Sequence, residues 1–474
     1  RIGFNWDING DRSLQLRGGT GLFSGMLPFV WFTNQPGGSG MIQSPETMIT
    51  SLSTLAANNI TFNKDYKAMI AAHPTLFPTT PGKLPSGSAL CEVEKSFKMP
   101  QVWRSDLALD IALPWNMVLT LEEIFTKDIN AVMQKNVNLD YPAGYYKGMD
   151  NRPYWTNTKI NSTVSSAMVL TNTSKGFQNS LTAQLTKNLT KGLSGSIAYT
   201  YTVAKDVTNN PGSTASSAWS ANSVVSYLND PELAPSGFAV PHRVVGNLSY
   251  RFEWLKHFAT TVSLFYDGES QGRYDFCYSN DMNQDGNSSD LMYIPATKND
   301  ITFVTSIYTY TNAAKVKFNY TVTDDQMKDA FWKLVEGNSY LKSHKGKYAQ
   351  RYGYVGPWHN RWDVKILQDI FTNFGSNRRY TLQLSLDIIN VGNLLNKNWG
   401  AYKTIGSASY DRIRPLTFVK AVNGVPTYKL NASAAGESDS AEAIISRFMD
   451  SNVWQKNVTT GSTWGMLFGV RLLF

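Results

Sequence analysis

The sequence is poor in the residues that most enzyme and metal sites need. It has five histidines and two cysteines in 474 residues, and it contains no H-E-x-x-H, C-x-x-C or G-x-S-x-G motif. We therefore expect neither an enzyme nor a bound organic cofactor. Only 17% of the residues are charged, and the net charge of +8 comes without a long basic run. A nucleic acid partner is accordingly not expected.

Long apolar runs are also missing, although 42% of the residues are hydrophobic and 13% are aromatic. A membrane-spanning helix needs about 18 or more consecutive apolar residues, which the chain does not have. A disordered chain would have fewer aromatic residues and more charge. What the sequence has instead is alternation, because apolar residues occupy every second position around residues 107–113, 193–203, 244–252 and 382–388. This period of two predicts strands with one apolar face.

The length of the alternating segments favours a membrane barrel. The strands predicted around them run for about 9 to 15 residues, whereas a tilted strand crossing a bilayer needs about 9 to 11 and a soluble strand averages about 5 or 6. Aromatic residues near the segment ends are typical of the two interfacial girdles of such barrels; they are Trp6, Trp103, Tyr199, Tyr201, Trp254, Tyr266, Trp362 and Trp464. The alternative is a large soluble β-sandwich.

The connections between these segments alternate between short turns and long loops. Thirteen strands are predicted, at residues 2–8, 12–24, 101–113, 116–130, 165–188, 193–205, 240–253, 258–272, 358–372, 379–391, 411–421, 425–430 and 464–474. Short periplasmic turns and long extracellular loops are the outer-membrane barrel pattern, as is an even strand number. Since thirteen is odd, we expect strands before Arg1 that this chain does not contain. An apolar face that ends in Phe474 is typical of the last strand of such a barrel.

Polar residues occupy the other face of the predicted strands and carry both signs of charge. They are Arg243, Asn247, Arg251, Asp363, Lys365, Asp369, Gln383, Asp387 and Arg471. In a barrel this face would line the lumen, and a lumen with both signs of charge suits a plug held by ion pairs or a path for a solute.

One loop motif indicates calcium. Residues 281–290 contain Asp281, Asn283, Asp285, Asn287 and Asp290 around Gly286. Alternating oxygen ligands around a glycine turn are what Ca²⁺ requires, but an EF-hand would have Glu where Met292 stands. A metal-free turn rich in Asp and Asn is the alternative. A shorter run, Asp7-x-Asn9-x-Asp11, lies on a predicted periplasmic turn.

The two cysteines, Cys91 and Cys277, fall in different long loops on the extracellular side. An oxidising compartment permits a disulfide between them. Two free thiols are the alternative, because sequence does not fix the distance between them.

Four stretches resemble one protein family. They are residues 1–35, 241–251 (PHRVVGNLSYR), 281–295 (DMNQDGNSSDLMYIP) and 382–399 (LQLSLDIINVGNLLNKNW). They are similar to TonB-dependent outer-membrane receptors of the Oar-like type of Bacteroidetes, which carry a carboxypeptidase-regulatory domain. The resemblance implies a 22-stranded barrel closed around an N-terminal plug in the bacterial outer membrane. Residues 1–474 would then be the C-terminal part of one barrel domain, about its last 13 strands.

The resemblance also implies a function and a set of partners. The expected function is TonB-dependent transport of, or reception of, a bulky solute. The expected partners are outer-membrane lipid, the missing N-terminal plug and strands, the TonB complex through that portion, and a surface lipoprotein or other envelope component. The alternative is a structural or adhesion barrel within a larger envelope complex.

Overall fold

The computed structural model describes residues 1–31, 52–57, 59–61, 64–74, 87–374, 378–409 and 411–474. Its main element is an antiparallel sheet in which eleven strands follow one another in chain order. These strands are β1 (Ile2–Asp7), β2 (Leu14–Ser24), β3 (Gln101–Leu113), β4 (Met117–Asn136), β5 (Phe177–Thr190), β6 (Leu193–Asp206), β7 (His242–Trp254), β8 (Phe258–Ser270), β9 (Trp358–Phe374), β10 (Arg378–Ile389) and β11 (Gly465–Leu473). Strands β1 and β11 stand at the two ends of this order.

The connections confirm the predicted alternation of short turns and long loops. Short connections cover residues 8–13, 114–116, 191–192, 255–257 and 375–377, and the last of these lies outside the described residues. Long connections cover residues 25–100, 137–176, 207–241, 271–357 and 390–464; much of the first also lies outside the described residues. In an outer-membrane barrel the short turns are periplasmic and the long loops extracellular.

The two faces of the sheet differ as the alternation predicts. One face carries exposed apolar side chains, among them Leu248 at 50% and Phe468 at 79% exposure. A continuous apolar face of this kind fits hydrocarbon rather than water. The predicted girdle residues are exposed on it, apart from the half-buried Tyr266, whose ring centroid lies 4.3 Å from that of Trp362.

The prediction of thirteen strands in one sheet is wrong in two places. The segment predicted at residues 165–188 is two strands, Val164–Thr173 and Phe177–Thr190, separated at residues 174–176. The segments predicted at 411–421 and 425–430 do form strands, Arg412–Val422 and Val425–Leu430, but they join a separate four-stranded sheet. Alternation finds a strand without telling which sheet it belongs to.

The long connections form a folded layer of their own, which we call the outer layer (residues 137–176, 207–241, 271–357 and 390–464). Together with residues 52–93, they contain strands at Ser88–Val93, Gly144–Tyr145, Pro153–Tyr154, Val164–Thr173, Ala234–Pro235, Arg273–Tyr278, Tyr293–Ile294, Ser306–Thr311, Lys317–Val322, Lys347–Tyr348, Tyr354–Val355, Tyr402–Ile405, Arg412–Val422, Val425–Leu430 and Trp454–Asn457. Helices lie at Leu52–Ala57, Tyr66–Ala72, Ala215–Ser220, Asp324–Gly337, Ser339–Ser343, Val391–Leu395 and Ala441–Ser451, with 3₁₀ turns at Lys298–Asp300 and Thr460–Ser462.

The helix Asp324–Gly337 shows how the outer layer obtains its core. Thr323 caps the helix, accepting the backbone N–H of Gln326, whose side chain returns to the Thr323 N–H. The buried side chains recur at helical spacing and join the largest apolar cluster; they are Met327, Ala330, Phe331, Leu334 and Val335. The layer is therefore a packed structure rather than a set of separate loops. Within the described residues, no helix has both the length and the apolar character to cross a membrane.

Candidate functional site

The predicted calcium loop is a compact turn in the connection between β8 and β9. The Asp281 carboxylate accepts the backbone N–H groups of Asp285, at 3.1 Å, and Gly286, at 2.8 Å. The Asp285 carboxylate accepts the N–H of Asn287 at 2.9 Å. Gly286 has φ +94°, a left-handed conformation that favours glycine. The structure thus brings Asp281, Asn283 and Asp285 together within one turn.

Burial makes these carboxylates electrostatically unusual. Burial, reinforced by the charge of Asp281, raises the pKa of Asp285 to about 7. Burial also raises the pKa of Asp281, and it raises that of Asp290 well above its usual range. Among the described residues, no Lys, Arg or His side chain forms an ion pair with Asp281 or Asp285. The half-buried Asp281 and the buried Asp285 therefore share a turn in which neither forms an ion pair with a described cationic side chain.

The donor set suits calcium, although the carboxylates alone do not form a cage. Across the described ranges, no group of three or more His, Cys, Asp or Glu side chains converges on a metal position. An ion at this turn would have to take oxygens from Asn283, Asn287 or the main chain as well. The side-chain oxygens of Asn283 and Asp285 already accept backbone N–H groups, as they would in a metal-free turn.

The last carboxylate of this loop has a partner that sequence analysis missed. The Arg152 side chain is completely buried and lies between the rings of Tyr278 and Tyr348, whose centroids are 5.1 and 5.2 Å away. Its Nε donates to Asp150 at 2.9 Å, and one terminal nitrogen lies 3.6 Å from the Asp290 carboxylate. Arg152 therefore supplies the charge that offsets Asp290.

Asp150 joins three of the long connections. It accepts the hydroxyl groups of Tyr278 at 2.8 Å, Tyr348 at 3.1 Å and Tyr428 at 3.3 Å. Arg152 and Asp150 lie in the connection 137–176, and their partners lie in 271–357 and 390–464. We call Asp150, Arg152, Tyr278, Tyr348 and Tyr428 the buried charge cluster. Its members are up to 278 residues apart in sequence, so no local pattern could have indicated them.

Of the two alternatives for Cys91 and Cys277, a disulfide or two free thiols, the structure has the free thiols. Cys91 is half-buried on the strand Ser88–Val93, at the margin of the cluster around Trp155 and Leu170. Cys277 is fully buried in another cluster and contacts the Ser223 hydroxyl at 3.7 Å. The two cysteines thus belong to different parts of the outer layer.

The inner face of the sheet carries a ladder of ion pairs and hydrogen bonds, as predicted. Lys365 pairs with Asp387 at 2.9 Å across β9 and β10, and Gln383 donates to Asp369 at 2.9 Å. Asp369 also pairs with Arg251 at 3.4 Å. Further pairs between strands are Arg17 to Asp110, Arg243 to Asp267, Asn247 to Ser196 and Thr182 to Thr200, and Arg361 pairs with Asp363 along β9. Arg471 lies opposite Gln383 on β11.

Comparison with known proteins identifies the architecture. Residues 1–414 match the family described as "Outer membrane beta barrel domain". No functionally curated protein matches the chain.

Among solved structures, the chain is similar to the outer membrane transporter YddB from Escherichia coli, with 12% identity over 90% of this chain and a TM-score of 0.37. It is also similar to a mutant of the ferric enterobactin receptor PfeA from Pseudomonas aeruginosa, with 8% identity over 85% of this chain and a TM-score of 0.32. It spans 38% and 34% of those two proteins. Because the family match covers most of the sequence, the chain belongs to the outer membrane beta-barrel domain family and resides in the bacterial outer membrane.

Proposed function

We propose that this protein is a TonB-dependent outer-membrane transporter or receptor for a bulky solute. The observation that carries the proposal is the inner face of the sheet, where residues of both charges and hydroxyl side chains pair from strand to strand. Such a wall suits a lumen that holds a plug or passes a hydrophilic solute. A barrel that served only as an anchor would not require it. Transport or reception, rather than catalysis, is the role we assign.

We further propose that the chain is one part of the wall of a larger barrel. Strands β1 and β11 end the strand order, and the outward face of β11 is strongly exposed, with Val470 at 75%. Unpaired backbone groups in a membrane cost several kcal/mol each, so both edges call for further strands. The plug, the contact with TonB and the Oar-like subtype belong to this proposal and would come from the rest of the protein. An envelope lipoprotein or complex would bind at the outer layer.

The test compares deletion of the gene with deletion of tonB in the native host. Growth is measured on peptides, on oligosaccharides and on ferric chelates as the limiting nutrient. Transport predicts that both deletions abolish growth on the same nutrient class. If the gene deletion changes none of these while tonB deletion does, transport of these solutes is refuted.

A structural or adhesion role is the second candidate, and the size of the outer layer favours it. The layer has its own apolar core built from three connections, more than a simple pore mouth needs. This role predicts that deletion of the gene alters surface attachment or envelope integrity, whereas deletion of tonB has no such effect.

We also propose that the turn at Asp281–Asp290 binds calcium, which would offset the carboxylates of the half-buried Asp281 and the buried Asp285. The test is isothermal titration of the full-length protein with CaCl₂ and with MgCl₂. Binding should be selective for calcium, and the isosteric Asp285→Asn substitution should abolish it. Asp7→Asn is the matched control, because Asp7 forms a similar but exposed turn through Gly10 and Arg12. Equal calcium binding by the Asp285→Asn variant would contradict the assignment.

A further inference from the structure

A carboxylate stands on the lipid-facing side of the sheet. Glu123 on β4 lies on the same face as Leu119 and Leu121, with Leu107 opposite it on β3 and Leu181 opposite it on β5. Tyr201 on β6 continues this row beyond Leu181. Ionisable side chains that face hydrocarbon are costly and rare, and they usually mark a functional contact. Glu123 therefore calls for a partner at the membrane-facing surface.

The internal partner of Glu123 satisfies it only in part. Asn179 on β5 donates its amide to the Glu123 carboxylate at 2.9 Å. The Oδ1 atom of Asn179 is buried and has no hydrogen-bond partner in the described part of the chain. The ionised Glu123 carboxylate offers only acceptors to a neighbour, whereas the Asn179 amide keeps a second N–H. A ligand that contacts Glu123 must bring hydroxyl or N–H donors.

A row of lysine and aromatic side chains lies above Glu123, closer to the extracellular connections. Lys127 on β4 is paired with Trp103 on β3 and with Phe177 on β5, and Phe177 is paired with Lys205 on β6. The two lysines are two strand spacings apart, which is about 10 Å. Lys127 donates to the main-chain oxygens of residues 174 and 176, and Lys205 has no side-chain partner among the residues described. The exposed Trp103 marks the outer interface.

Below this row the same four strands form an apolar groove of about 640 Å³. Its lining includes Leu107, Leu109, Leu121, Leu181, Tyr199 and Tyr201, and it also includes Glu123. The groove continues the lipid-facing surface, so hydrocarbon chains contact it in the membrane. One patch thus combines two cations at the interface, acceptors beneath them and an apolar groove.

We propose that the outward face of β3–β6 binds a phosphorylated glycolipid of the outer leaflet, the chemical class to which lipid A belongs. The phosphates bind Lys127 and Lys205, sugar hydroxyl or amide N–H groups donate to the Glu123 carboxylate, and the acyl chains occupy the groove. Charge complementarity selects an anionic headgroup, and the exposed Glu123 carboxylate selects one that also carries donors. This assignment does not depend on the transport proposal.

The test measures lipid binding by native mass spectrometry of the full-length protein in detergent. The probes are bisphosphorylated lipid A, enzymatically dephosphorylated lipid A and phosphatidylglycerol. We expect bisphosphorylated lipid A to bind at least tenfold more tightly than either other lipid. Equal binding of dephosphorylated lipid A, or of phosphatidylglycerol, would overturn the proposal, and this comparison needs no variant.

Substitutions then locate the site. The Lys127→Gln/Lys205→Gln double variant should lose the preference for phosphorylated lipid A, and Glu123→Leu should weaken its binding while leaving the phosphate preference. Lys187→Gln is the matched control, because Lys187 lies on the same outward face of β5 but opposite Gly195 near the periplasmic turn. If the control variant loses the preference and the double variant keeps it, the site is misplaced. Folding of each variant is checked by its heat-dependent electrophoretic shift.

Discussion

Replacing Arg152 by Met tests whether the buried charge cluster holds the outer layer together. The substitution keeps much of the side-chain volume but removes the cation between the Tyr278 and Tyr348 rings. Asp150 and Asp290, both buried, are then left without their counter-charge. Met also cannot replace the hydrogen bond from Arg152 to the Leu291 carbonyl, which is 2.6 Å long.

The size of the effect follows from burial. Removing one partner of a buried ion pair costs about 3–5 kcal/mol, because the remaining charge has no compensation. Three tyrosine hydroxyls still donate to Asp150. We therefore expect the substitution to lower the free energy of opening the outer layer by about 3 kcal/mol, the lower end of this range. Adding Asp150→Asn should recover part of it by removing one uncompensated charge.

Hydrogen exchange is the appropriate assay, because it reports the opening of the outer-layer amides separately from that of the barrel-strand amides. A loss of about 3 kcal/mol corresponds to roughly 100-fold faster exchange of the amides in the layer, in calcium-free buffer. Lys175→Met is the control, because the Lys175 to Asp230 pair lies at the surface of the same layer, with 56% of the lysine and 76% of the aspartate side chain exposed. Such a pair contributes at most about 1 kcal/mol. Equal exchange rates in the Arg152→Met and Lys175→Met variants would refute the reasoning.

Three further substitutions or treatments test other parts of the structure. Burial raises the pKa of the Cys277 thiol to about 12, so iodoacetamide at pH 8 should modify Cys277 only after unfolding, and peptide mass spectrometry should find no disulfide to Cys91. Gly195→Ala should destabilise the barrel by about 1–3 kcal/mol, because an added Cβ would lie 2.6 Å from a backbone oxygen of β7. Gly246→Ala is the control, since the nearest atom to a Cβ there is 3.7 Å away. Heat-dependent electrophoresis of both variants measures the difference in stability. Phe331→Ala should cost about 3–5 kcal/mol in the outer layer, since Phe331 is fully buried in its core, and unchanged exchange of the layer amides would contradict this.

The barrel wall could be predicted from sequence because its pattern is local. Along residues 382–388 each side chain points to the opposite face from its neighbour, and the lipid-facing apolar set repeats at every second residue. The turn at Asp281–Asp290 could be found for the same reason, since its oxygens lie within ten residues. The same rule placed residues 411–430 in the wall wrongly, because strands of the outer layer also alternate.

The rest depended on contacts between distant parts of the chain. The break at residues 174–176 separates a barrel strand from one that pairs in parallel with Ser88–Val93, a partner that no alternation pattern specifies. The buried charge cluster is likewise invisible in sequence, where Asp150 and Arg152 lie among other polar residues of a long loop. Their roles come from tyrosines in two other connections.

These long-range contacts constrain how a solute would pass. The cluster joins the connections 137–176, 271–357 and 390–464, and Arg351 ties the second of these to Asp206 at the end of β6, at 2.6 Å. Opening one connection alone would expose buried charges, so the outer layer is expected to stay closed or to move as one body. Arg152→Met separates these modes of passage. If solutes enter when single loops open, the variant should speed uptake. If entry requires the layer as an intact binding surface, the variant should slow it while the barrel still assembles.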